Sequence, residues 1–64
     1  MQTPNYQRNS HKAVAAERAK DYPMAVVYWT NAKKSAINTR DTSWAHCQIV
    51  KCKRHVKHLR GQDA

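Results

Sequence analysis

DTSWAHCQIVKCKRHVKHLR, residues 41–60, is the stretch that decides the fold. Ala45, Ile49, Cys52, Val56 and Leu59 recur in it at 4-3-4-3 spacing. At 100° per residue they fall in an arc about 80° wide, the width of a coiled-coil seam. The spacing predicts an amphipathic helix whose apolar stripe is either a core seam or a self-association seam. Asp41, Thr42 or Ser43 is its expected N-cap. Gly61 is its expected C′ residue, placed after a basic last turn that suits the helix dipole.

Upstream, Asn38-Thr39-Arg40-Asp41 reads as a polar link. Before it, Tyr22, Ala25, Val26, Trp29, Ala32, Ala36 and Ile37 share an arc of about 140° on a second helix. That helix opens at Asp21 or Tyr22, because Pro23 fits a first helical turn, where its missing N–H has no partner to lose. Met24, Val27 and Tyr28 fall on its other side. A first helix over about 5–20 is predicted, capped by Asn5 or Ser10, with Ala13-Val14-Ala15-Ala16 as its high-propensity centre. No segment alternates as a strand does. The expected fold is all-α: one small three-helix domain over 1–64, a helical hairpin plus a C-terminal amphipathic helix. Its ends, 1–4 and 61–64, are expected to fray, and the domain to self-associate as a homodimer or larger homo-oligomer.

Size and composition narrow the function. Sixty-four residues (7.4 kDa) bury a marginal core, since a chain of this length hides only about 60% of its unfolded surface. A sequestered catalytic pocket is not expected, so the chain is expected not to be an enzyme. A mean hydropathy of −0.94 and the lack of a long apolar run argue against a membrane span. Met1-Gln2-Thr3-Pro4-Asn5 carries no signal-peptide pattern, so a cytoplasmic protein is expected. Twelve Lys+Arg against four Asp+Glu give a net charge of +8, which suits a polyanion or an acidic protein surface as partner.

Cys47, Cys52, His55 and His58 have a zinc-like order. On one helix, however, Cys47 and Cys52 lie about 140° apart, and four ligands so fanned out cannot converge tetrahedrally on one ion. No metal and no cofactor are expected. His11, His46, His55 and His58 stand at no spacing that suggests a catalytic triad. Lys51, Lys53, Arg54, Lys57 and Arg60, with no acid between 42 and 60, are candidates for nucleic-acid contact; a plain solubilising face is the competing reading. Tyr22, Trp29 and Trp44 are expected to anchor the core where the second and third helices meet. Met24, Val27 and Tyr28 are the expected partner-binding patch, unless the first helix covers them.

Ala19-Lys20-Asp21-Tyr22, followed by Ala25, Trp29 and Ala32, then Asn38, Trp44 and Cys52, resembles the AraC negative regulators, the ANR family of short bacterial proteins. The likeness runs from about Glu17 to Cys52. Lys20 stands where the family pattern has Gly, Gln48 where it has a basic residue, and Lys51 where it has an aromatic. PerC-like small activators look similar at this level. The resemblance implies a non-enzymatic regulator that binds an AraC-type virulence activator and blocks its dimerisation or DNA engagement. It also implies contact with the histone-like nucleoid-structuring protein. A basic DNA-binding or nucleoid-associated regulator led by the C-terminal helix is the alternative.

Overall fold

Three capped helices make up the computed structural model, which describes the backbone of residues 3–63 and the side chains of residues 3–58. They are α1 (Pro4–Arg18), α2 (Tyr22–Ser35) and α3 (Thr39–Asp63). The all-α reading holds, with no strand among the described residues.

Each boundary has a local cause. Thr3 caps α1, its Oγ1 accepting from the Tyr6 N–H at 3.1 Å, and Pro4 occupies the first turn. The same hydroxyl donates to the Ser35 carbonyl at 2.9 Å, which ties the start of α1 to the end of α2 and satisfies a carbonyl left over at a helix terminus. α1 closes in a Schellman motif: the Asp21 N–H reaches Ala16 O (2.8 Å) and the Lys20 N–H reaches Glu17 O (2.9 Å). Lys20 takes φ 62 there, in the left-handed region that favours glycine. Asp21 then caps α2, with Pro23 in the first turn.

The start of α3 corrects the sequence reading. Helix begins at Thr39, and Asn38 caps it: Asn38 Oδ1 accepts from the Asp41 N–H at 2.8 Å, and its Nδ2 donates to Asp41 Oδ2 at 3.1 Å. Asp41 sits in the first turn, where its charge favours the positive end of the helix dipole. Asp41, Thr42 and Ser43 therefore do not cap, and Asn38-Thr39-Arg40-Asp41 is mostly helix rather than link. Gly61 does not end α3 either, since the helix runs on through Asp63. The expected frayed ends are helical at Pro4 and at 61–63; residues 1, 2 and 64 lie outside the described set.

α2 is the central element. α1 and α3 each pack against it, and they approach each other more sparsely. Tyr6, Ala13, Ala25, Trp29, Ala32, Ala45, Ile49 and Cys52 form the buried core. Four of these are alanines, which let the backbones come close and leave Trp29, Tyr6 and Ile49 as the large buried side chains. Tyr22, Val26 and Ala36 pack half-buried against them. Ile37, expected in the same arc, is 68% exposed: α2 ends at Ser35, so the helical wheel no longer places it. α3, 25 residues and about 37 Å long at 1.5 Å per residue, gives the molecule its longest extent of 43 Å.

Candidate functional site

Because α1 and α3 both lean on α2 rather than on each other, a groove of about 790 Å³ opens between them. Trp29 and Tyr6 lie at its base. Ser10, His11 and Val14 on α1 face Arg40, Asp41 and Trp44 on α3. A further crevice of about 320 Å³ carries the same α1–α3 boundary onward, from Val14 past Glu17, Arg18 and Lys51 to Tyr22 and His55.

Polar contacts span this boundary. The Tyr6 hydroxyl donates to the Asp41 carbonyl at 3.4 Å. Farther along, the carboxylate of Glu17 joins all three helices: it accepts from Trp29 Nε1 at 3.4 Å and from Cys52 Sγ at 3.3 Å, and pairs with Lys51 Nζ at 3.4 Å. Burial, reinforced by the Glu17 hydrogen bond and charge, pushes the Cys52 thiol up to about 11. Thiolate is the reactive form of cysteine, so Cys52 is an inert structural thiol near neutral pH. Burial and the nearby Asp41 likewise raise the Tyr6 phenol. These contacts tie α1, α2 and α3 together along the groove.

The predicted site residues divide sharply. Trp29 is buried (3% exposed) as expected. Tyr22 is half-buried and stacks on His55, ring centroids 4.3 Å apart. Trp44 is a correction: it is 58% exposed and anchors nothing in the core. It stands about 100° around α3 from Ala45, outside the stripe that meets α2, and so falls on the groove rim. In the seam, Ala45, Ile49 and Cys52 are buried within the chain itself, and Val56 is half-buried. The side chain of Leu59 lies outside the described residues. That stretch of the stripe is thus core rather than an edge offered to a second copy.

Met24 and Val27 are exposed, at 39% and 48%, and α1 does not cover them. Tyr28 is half-buried beneath α1, with Lys12 Nζ 5.9 Å from its ring centroid. Met24 and Val27 point about 140–160° away from Trp29, so this patch backs onto the far side of α2 from the groove. Lys51 is held by Glu17, whereas Lys53, Arg54 and Lys57 are exposed; the side chain of Arg60 lies outside the described residues. Cys47 is exposed and Cys52 buried, and among the described residues no three of His, Cys, Asp or Glu gather to hold a metal. Among them too, no helix is long and apolar enough to cross a membrane.

Tyr6, Val14 and Arg40 were missed by sequence reasoning. The signal for Tyr6 was present: Tyr6, Ala13 and Glu17 fall within about 40° on α1. For the rim, Trp44, Lys51 and His55 share a second narrow stripe on α3, which the apolar stripe beside it outweighs. Comparison with family models, with curated proteins and with solved structures gave no match. The likeness to the AraC negative regulators therefore stands on the quoted residues alone.

Proposed function

We propose that this protein is a small, non-enzymatic transcriptional regulator of the cytoplasm that captures a helix of another protein in the groove between α1 and α3. The observation that carries this reading is Trp44: a tryptophan more than half exposed, on the rim of an open groove, beside Arg40. Tryptophan and arginine are the residue types most enriched at binding hot spots, and an exposed indole over an apolar floor loses water on contact with an apolar side chain. From Arg40 to His55 the boundary runs about 22 Å along α3, room for about four turns of an amphipathic helix laid into it.

The ANR-like residues supply the partner in this proposal: the dimerisation or linker helix of an AraC-type activator. Occupancy of the groove would withdraw that helix from the activator's own contacts by mass action. The test uses a synthetic peptide carrying such a helix. Trp44→Ala should weaken its binding about 30-fold, the equivalent of about 2 kcal/mol, while Val27→Asp leaves it unchanged. The reverse pattern would move the partner to the Met24 and Val27 patch and overturn the groove.

A further inference from the structure

The basic face of α3 lies on the other side of the helix from the groove. His46, Lys53 and Lys57 fall within about 40° of one another around α3 and extend about 16 Å along its axis. All three are exposed, as is Arg54 beside them. Lys33 of α2 extends the stripe sideways, its Nζ 3.2 Å from His46 Nδ1. Lys53, Arg54 and Lys57 make no ion pair among the described residues. The three acids whose side chains are described are engaged elsewhere: Glu17 at the junction of the three helices, Asp21 capping α2, Asp41 in the first turn of α3; the side chain of Asp63 lies outside the described residues. Lys53 stands about 180° around α3 from Trp44, so an occupant of the groove leaves this face open.

We propose that this face, Lys33, His46, Lys53, Arg54 and Lys57, binds the phosphate backbone of duplex DNA without reading sequence. Charge complementarity is the main ground: a chain of net charge +8 presents a cationic stripe with no carboxylate in it among the described residues, and duplex DNA carries a regular row of phosphates. Shape selects DNA over duplex RNA. A B-form major groove about 12 Å wide admits an α-helix, whereas the A-form major groove is too narrow for side chains to enter. The residues offer cations on flexible stems rather than a fixed set of base-reading groups, so they position without specifying. A regulator built this way holds a protein helix on one side and lies along DNA on the other.

The experiment is fluorescence anisotropy of a labelled 20-base-pair duplex titrated with the full chain across a salt series. The expected dependence of log affinity on log salt has a slope of about −3 to −4, for about four phosphates neutralised at 0.9 each. Lys53→Ala, Arg54→Ala and Lys57→Ala together should flatten that slope by about 2.7 and lower affinity by ~10-fold or more, equally for unrelated sequences. A control with the same charge loss on another surface, Arg8→Ala with Arg18→Ala and Lys20→Ala, should keep the slope. Equal losses in the two triple variants would mean that net charge alone acts, and would overturn the proposal. So would no binding at 50 mM salt, tighter binding of duplex RNA, or equal binding of polyglutamate. Trp44→Ala should leave DNA affinity unchanged, so a failed groove and a failed basic face are told apart; helical circular dichroism of every variant confirms folding.

Discussion

Two tryptophans of the same chain occupy opposite environments, and truncating each to alanine should give opposite results. Trp29 is 3% exposed at the centre of the core. Its neighbours Ala13, Ala25, Ala32 and Ala45 are too small to fill the hole it would leave. Trp29→Ala should therefore cost about 3–5 kcal/mol, the range for emptying a large aromatic site. A chain of this size commands only about 3–5 kcal/mol in all, so this variant should be largely unfolded without denaturant. Trp44 keeps 58% of its surface in water. Of the roughly 150–250 Å² an aromatic side chain can bury, it buries about 100 Å² or less, part of which alanine retains. At ~25 cal/mol per Å² the loss is about 1–2 kcal/mol. Urea titration followed by helical circular dichroism reads both: Trp44→Ala should lower the midpoint by about 1–2 M, and Trp29→Ala should show no folded baseline. Equal shifts, or a greater cost at Trp44, would mean that Trp44 is a core anchor after all and that the groove is closed.

Further outcomes follow from the caps, the left-handed residue and the buried thiol. Lys20→Gly should raise stability by about 0.5–1 kcal/mol, because the left-handed backbone at φ 62 costs a residue with a Cβ more than glycine loses in entropy; a melt lower than wild type would contradict the Schellman geometry. Asn38→Ala should cost about 1 kcal/mol through loss of the α3 cap, whereas Ser43→Ala should cost almost nothing by the same melt. Stability should also fall in alkali. Folding raises the Cys52 thiol from 9.0 to about 11, so the folded chain keeps a proton that the unfolded chain has lost. That contribution is whole below pH 9.0 and disappears as pH climbs to about 11, on the order of 1–3 kcal/mol. Cys52→Ala should flatten this part of a stability–pH curve; the raised Tyr6 phenol acts with the same sign.

The helices were legible because their signals are local. Proline in a first turn, a 4-3-4-3 stripe and a central apolar arc marked three helices and a buried Trp29, and left Ala45, Ile49 and Cys52 as a seam for either the core or a second copy, which the packing assigns to the core. The errors came where two local signals compete. Asn38, Asp41, Thr42 and Ser43 are all good N-caps, and only the hydrogen bonds between Asn38 and Asp41 decide among them. Gly61 is a common stop, yet without a positive φ imposed on it glycine continues a helix at modest cost. Ile37 lay on the right arc of a helix that had already ended. Trp44 shows a deeper limit. Its position on the wheel was readable, but hydrophobicity favoured placing it inside, and whether a groove exists beside it depends on how α1 and α3 share α2. No local pattern encodes that arrangement. Glu17, which holds it together, looks in the sequence like any surface carboxylate.

The two indole N–H resonances of the isotopically labelled chain test the groove most directly. In the free protein, Trp29 Nε1 donates to Glu17 and should exchange slowly with water, while the indole of Trp44 should exchange fast. When a peptide carrying the dimerisation helix of an AraC-type activator is added, the Trp44 resonance should shift and become protected, with Trp29 nearly unmoved. A bound peptide that leaves Trp44 unshifted and in fast exchange, and moves the Met24 and Val27 methyl signals instead, would show that the groove is not where the partner lies.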